Sequence, residues 1–437
     1  MDAELGDGLI LRFFEDGGLR EVKERVEVKV YSDYDPSLQM LSDELNAELE
    51  LEEWFEPPNY IGKRVIAVIR VEPVFLRKVE LAIRRIGLRI WNKFPHPLQK
   101  VLWERKLRPC VCESGELASP NWVILRFRGW AGRPNIASWK HVESVELENE
   151  RGIIRANRTE FGNILSSLNP QIVVLEGEEW RRLVLSDPEA REALRKAVLI
   201  DRIPLDLSLR GLMEWSSLSY APLKLVANYS IGRVLTSLEA FNALRRNYLV
   251  PEACVKLEKP KSPSSLLRAD RGGLILTPKP GVYWNVAQLD FESFFPSIMS
   301  RENISSETIN VPNCRKWVEV PEVKHRICLD RRGVVPETVE SLIELRRYYK
   351  SLGDTERSKA VKWILVACFG YLGYRNSRFG SIEAYESVTA FARWIGAKAV
   401  ELASRHGRVL HFLVDSLFVE TDEPEVILKE IESELGY

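Results

Sequence analysis

The sequence predicts a mixed α+β, multidomain protein, and three observations carry that prediction. The chain has 437 residues, and at roughly 150 residues per domain this length suits about three domains. Its 45% apolar and 29% charged residues are ordinary for a globular chain and exclude a disordered or fibrous one. Strand-like runs dominate the first part, and helical periodicity becomes prominent from about Leu235 onward.

The first region, 1–108, is β-rich. Val26-Glu27-Val28-Lys29-Val30-Tyr31 alternates as a half-buried strand does, and Arg64-Val65-Ile66-Ala67-Val68-Ile69 reads as another. The acidic stretch Glu44 to Glu56 between them reads as a solvated face or a helix. Segment 75–108 then carries Arg77, Lys78, Arg84, Arg85, Arg89, Lys93, Lys100, Arg105, Lys106 and Arg108 among Trp91, Phe94 and Trp103. Two readings stand for it. Cations neutralise phosphate and rings stack on bases, which suits a nucleic-acid surface; an amphipathic helix pair with a solvated basic face has the same composition.

Further on, Trp122-Val123-Ile124-Leu125 and Ile172-Val173-Val174-Leu175 are short apolar runs of buried-strand type, and Leu235 to Tyr248 has helical periodicity. Leu257 to Ser265 reads as a turn-rich linker, and Gly272-Gly273 with Pro278-Lys279-Pro280-Gly281 punctuates a hairpin-like stretch. Val286 to Asp290 reads as a strand ending in a carboxylate. Leu342 to Lys350 and Arg357 to Phe369 read as two helices parted by Leu352-Gly353-Asp354. Leu410 to Leu413 and Leu417 to Val419 read as strands flanking Asp415 and Ser416.

Composition excludes several functions. Lys plus Arg is 62 and Asp plus Glu is 63, a net charge of −1. A uniformly basic nucleic-acid coat protein is excluded, whereas a local basic groove is not. The six cysteines are too few for a disulfide scaffold, and Cys110 and Cys112 lack a second pair at zinc-finger spacing. The five histidines are scattered, which argues against histidine-based metal or triad chemistry. There is no phosphate-binding G-x-x-x-x-G-K-[ST] loop. No apolar run reaches the roughly 18 residues of a membrane span, and the acidic start Met1-Asp2-Ala3-Glu4 is unlike a signal peptide. A cytoplasmic location is the expectation.

Asp290 ends one apolar run and Asp415 sits between two. Burying a carboxylate is costly unless it is paired or binds a metal. Two carboxylates on separate strands suit Mg²⁺, which takes oxygen ligands and leaves places for substrate phosphates. Between them in sequence lie Arg346 and Lys350 on one helical face, then Arg357, Lys359 and Lys362. Acids with a basic face match metal-assisted phosphoryl transfer.

Order and spacing add a resemblance. Leu289-Asp290-Phe291-Glu292-Ser293-Phe294-Phe295-Pro296-Ser297-Ile298 resembles motif A of family-B DNA polymerases, D-x-x-S-L-Y-P-S-I. Lys362-Trp363-Ile364-Leu365-Val366-Ala367-Cys368-Phe369-Gly370 resembles motif B, K-x-x-x-N-S-x-Y-G. It runs on through Tyr371-Leu372-Gly373-Tyr374 to Ala384-Tyr385-Glu386-Ser387-Val388-Thr389-Ala390, like the archaeal members. Leu413-Val414-Asp415-Ser416-Leu417-Phe418-Val419 resembles motif C, D-T-D-S-x-x-V.

The resemblance implies an architecture. It comprises an N-terminal domain (1–108), a degenerate RNase H-like exonuclease domain (109–210), an N-terminal palm with motif A (211–311), short helical fingers with motif B (312–370) and a palm segment with motif C (371–437). It also implies roles. Asp290 and Asp415, with the Phe291 backbone carbonyl, would hold two Mg²⁺ ions. Phe291, Phe294, Phe295, Arg346, Lys350 and Lys362 would bind the deoxynucleoside triphosphate. The aromatic ring of Phe295 falls where the family excludes a ribose 2′-OH. Cys314 and Cys328 fall where some hyperthermophilic archaeal members carry a disulfide; free thiols stand as the alternative.

The sequence also departs from the family pattern. Leu413 and Val414 replace the first acid and the threonine of motif C, and Val366 and Ala367 replace the Asn and Ser of motif B. The interval from Arg346 to Lys362 is short, implying a stubby fingers hairpin. Asp270 stands where the Y-x-G-G loop has its tyrosine, and a carboxylate there would repel template phosphate. Arginine stands at three exonuclease carboxylate positions, Arg126, Arg128 and Arg181, and arginine has no lone pair to offer a metal. No 3′→5′ exonuclease activity is therefore expected. Only residues 420–437 follow Val419, so a K-x-Y strand and a thumb are expected to be absent.

The function expected is a DNA-directed DNA polymerase acting on primer-template DNA and dNTPs without proofreading, with a separate thumb-bearing polypeptide as a candidate partner. The alternative is a catalytically inactive, polymerase-derived DNA-binding or accessory protein of replication or repair.

Overall fold

The computed structural model describes residues 1–15, 18–129, 141–258, 260–269 and 271–437; Asp270 lies outside them. The chain divides into two compact units. One comprises 1–52, 65–237 and 354–360, the other 53–64, 238–353 and 361–437.

In the first unit, Val28–Asp33 lies between Lys63–Val71 and Ile90–Trp91 in an antiparallel sheet. Its inward side chains, Val28, Val30 and Ile69, meet Val79 and Ile83 from the helix Leu76–Arg85. The acidic stretch is mostly a strand, Glu48–Phe55, and the helix before it ends at Leu45. Alternation lets its outward Glu48 and Glu50 pair with Arg70.

Segment 75–108 contains two helices, Leu76–Arg85 and Pro97–Glu104, and most of its cations are exposed. Trp91 and Phe94 are buried, so neither ring can stack on a base. Lys100 is buried too. Its Nζ donates to the Asn92 carbonyl at 2.8 Å, and burial lowers its pKa to about 8. Among the exposed cations, Lys78 pairs with Glu44 and Arg105 with Glu24.

The same unit holds a five-stranded sheet whose spatial order is Gly152–Ala156, Ser144–Asn149, Trp122–Arg128, Ile172–Leu175 and Val198–Ile200. The first three strands are antiparallel and the last three parallel. Ile172–Leu175 is apolar throughout because both faces are covered. Trp122–Arg128 alternates: Val123, Leu125 and Phe127 enter the core, which puts Ile124, Arg126 and Arg128 on the opposite face.

The second unit is built on a four-stranded antiparallel sheet in the order Ile275–Leu276, Arg408–Leu413, Ser416–Glu420, Val286–Asp290. Helices Ile382–Ala403 and Pro424–Leu435 pack on it through Ala399, Leu402, Ile427 and Ile431. Gly396 makes room for the fully buried Phe412, whose ring lies 2.6 Å from where a Cβ would stand. Helices Val334–Ser351 and Thr355–Gly373 form a hairpin through residues 352–354. The buried Glu307 carboxylate accepts from the Val334 N–H at 2.5 Å, placing negative charge at that helix's N-terminus. The linker reading of 257–265 gives way at its end to a helix, Pro263–Ala269.

Glu239 is buried in this unit. Desolvation, reinforced by Glu307, raises its pKa to about 8. The folded chain thus keeps a proton that the unfolded chain releases above the ordinary carboxylate range. Stability from this group is complete at low pH and is lost as pH rises towards 8. Glu239→Gln should therefore leave the denaturation midpoint unchanged near pH 4 and stabilise by on the order of 3 kcal/mol at pH 8, as measured by urea melts across that range.

Candidate functional site

Asp290 is the last residue of its strand and lies directly opposite Ser416, the first residue of the next. The Ser416 hydroxyl donates to the Asp290 carboxylate, and Gln288 Nε2 approaches both of its oxygens at 3.2 Å. Asp415 occupies the tight connection between Arg408–Leu413 and Ser416–Glu420. Its own N–H bonds back to the Leu413 carbonyl at 2.6 Å, and its carbonyl accepts the Phe291 N–H at 2.9 Å. That last bond ties the two carboxylate-bearing segments together.

The connection is strained. Val414 has φ of 60°, where a β-branched residue is an outlier. With the bond from Asp415 N–H to Leu413 C=O it forms a γ-turn of the rare, strained hand. Two neighbours hold it. The Leu274 carbonyl accepts the Val414 N–H at 2.9 Å, and Gly273 faces the Val414 methyls, with Cγ1 2.9 Å from where a Cβ would stand. The apolar Val414 is thus accommodated by the Gly272-Gly273 loop.

Both carboxylates are exposed to ligand. Asp415 is held above the usual carboxylate range, chiefly by partial burial and further by the charge of Asp290. Two hard-oxygen donors that repel each other fit a divalent cation, which would relieve the repulsion. Asp290, Asp415 and the Phe291 carbonyl are the groups that would hold it.

The basic helix face reaches the residues just after Asp290. Glu292 Oε1 accepts from Lys350 Nζ at 2.7 Å and its Oε2 from Arg347 Nε at 3.1 Å. These cations hold its carboxyl below the usual range, Lys350 most strongly. Arg346 Nη1 donates to Ser293 Oγ at 3.1 Å. Lys362, on the next helix, is exposed and makes no ion pair among the described residues. The sequence reading missed Glu292 and Arg347, although Glu292 stands inside the motif A string and Arg347 beside Arg346.

An aromatic column runs beneath. Phe295 stacks on Phe369 at 4.4 Å, and Phe369 on Tyr385 at 4.4 Å. Phe294 is only 3% exposed and stacks on Phe291. A cavity of about 570 Å³ lies beside Asp290, Glu292, Phe294 and Arg347. Cys314 and Cys328 are joined by a disulfide.

In the other unit, Arg126, Arg128 and Arg181, which the sequence resemblance set at exonuclease carboxylate positions, are all ion-paired. Arg126 pairs with Glu148 and, at 3.7 Å, with Glu176. Arg128 and Arg155 flank Glu146 at 2.9 and 3.0 Å. Arg181 pairs with Asp201 at 2.8 Å. A cavity of about 860 Å³ remains beside Arg126, Glu148 and Glu176, and in it the guanidinium supplies the positive charge that the acids require.

Comparison with known proteins agrees with this geometry. Residues 232–425 match DNA polymerase family B. The chain is 42% identical over 240 residues to DNA polymerase 2 of Saccharolobus solfataricus, covering 55% of this chain and 37% of that protein. It is 32% identical over 285 residues to DNA polymerase 2 of Aeropyrum pernix, covering 60% and 34%. It thus spans about a third of the length of these relatives. A family-B DNA polymerase structure from Pyrobaculum calidifontis superposes with a TM-score of 0.71 at 21% identity, covering 100% of this chain and 76% of that one. The fold is that of a family-B DNA polymerase.

If Gly273 exists to admit Val414, then Gly273→Ala should destabilise by about 1–3 kcal/mol. Val414→Ala in the same chain should recover most of that loss. Denaturant melts of the two single variants and the double variant check this coupling.

Proposed function

We propose that the chain is a DNA-directed DNA polymerase whose nucleotidyl-transfer centre is the pair Asp290 and Asp415. The observation that carries this reading is their convergence, fixed by the Phe291 N–H to Asp415 C=O bond. The substrates are primer-template DNA and dNTPs. In the reaction a primer 3′-OH attacks the α-phosphorus of the nucleotide and pyrophosphate departs.

The residues divide the work. Asp290, Asp415 and the Phe291 carbonyl would hold divalent metal, as two Mg²⁺ ions. Bound there, the metals stabilise the attacking and leaving oxygens. Arg346, Lys350 and Lys362 place positive charge for the triphosphate, where developing charge is best stabilised by groups already in position. Phe295, backed by Phe369 and Tyr385, is a rigid wall against a 2′-hydroxyl. The ion-paired arginines of the RNase H-like sheet support the absence of proofreading, because each guanidinium stands where a metal-binding carboxylate would be needed.

Primer extension with dNTPs and Mg²⁺ tests the assignment. Asp290→Ala and Asp415→Ala should each lower incorporation by ~10³-fold or more while leaving the fold intact by circular dichroism. DNA binding without any incorporation by the unmodified chain would contradict the reading. In the same assay a 5′-labelled single strand should stay full length in Mg²⁺ or Mn²⁺. Progressive shortening from the 3′ end would show that the arginine-filled sheet still cleaves.

A further inference from the structure

We propose that Glu292 is a resident anion that occupies the cationic face of helix Val334–Ser351 until the triphosphate of an incoming nucleotide displaces it. This rests on the assignment of that face to triphosphate binding.

The geometry is specific. Ser293 has φ of 50° and precedes the helix Phe294–Arg301, and this bend accompanies a Glu292 carboxylate facing the neighbouring helix. Both of its oxygens are engaged, one by Lys350 and one by Arg347. Lys350, a cation assigned to the triphosphate, is thus already paired. Arg346 is engaged by Ser293 in the same turn of chain. Its Nε is buried with no hydrogen-bond partner among the described residues, a donor that is costly until an acceptor reaches it.

The pairing is strong enough to order the cations and weak enough to release them. The side chains of Glu292, Arg347 and Lys350 are 43%, 59% and 46% exposed, and ion pairs at such exposure are weak because water screens them. One carboxylate facing Arg347 and Lys350 leaves the cluster net positive. A triphosphate brings several negative charges and replaces the carboxylate with a gain in attraction. Glu292 therefore sets the affinity for the nucleotide: it keeps the helix face aligned before binding, and its displacement weakens binding by competition.

The experiment uses the full chain and two probes, inorganic tripolyphosphate and dTTP, titrated calorimetrically in Mg²⁺. Glu292→Gln should bind tripolyphosphate about 3- to 10-fold more tightly than the unmodified protein, and in primer extension the change should appear as a lower KM for dNTP. Glu292→Asp keeps the charge and should stay within about twofold of the unmodified affinity. In the background of Lys350→Ala the advantage of Glu292→Gln should shrink, because the competed cation is gone. Equal or weaker tripolyphosphate binding by Glu292→Gln, or an advantage undiminished by Lys350→Ala, overturns the proposal. The two readings fail separately. Tighter tripolyphosphate binding without incorporation by any form would remove the polymerase assignment and keep the competition. Incorporation with unchanged binding would do the reverse.

Discussion

The backbone hydrogen bond from Phe291 N–H to the Asp415 carbonyl is the constraint on which the site depends. It closes the gap between two strands at the point where each delivers a carboxylate. The γ-turn at Val414 aims Asp415, and the Ser416 hydroxyl steadies Asp290. Neither carboxylate has a cationic side-chain partner among the described residues, and their mutual repulsion contributes to the raised proton affinity of Asp415. The fold thus holds two like charges together and leaves their neutralisation to a ligand. Strain of order 1–3 kcal/mol at a residue such as Val414 persists only where the surroundings hold it in place. Here they do so through Leu274 and Gly273.

The two units solve the problem of clustered charge in opposite ways. Beside Asp290, acids are left without a counter-cation while Glu292, two residues on, is held by Lys350 and Arg347. On the five-stranded sheet of the other unit, Arg126 lies across from Glu146 in register and reaches Glu148. Cross-strand ion pairs of this kind support a sheet locally.

Much of this was legible in the sequence. Val286–Asp290, the helical hairpin and the strands around Asp415 announce themselves by period and by the turn residues between them, and three ordered motifs fix their relation. The failures have physical causes. Trp91, Phe94 and Lys100 read as surface residues because composition does not report burial. The Glu-rich strand Glu48–Phe55 hid its alternation, since Glu52 and Glu53 are consecutive and put acids on both faces. Phe294 and Phe295 differ in exposure although they are adjacent, because successive helical residues point about 100° apart. Glu292 was passed over because its partners lie 55 and 58 residues away, a pairing visible only once the chain has folded.

The central claim is that Asp290 and Asp415 form one divalent-metal site. Binding of Mn²⁺ followed by electron paramagnetic resonance, with and without dNTP, tests it most directly. The account predicts bound Mn²⁺ in the unmodified chain, strengthened by dNTP, and its loss in both Asp290→Asn and Asp415→Asn. Mn²⁺ binding undiminished in both variants would contradict it.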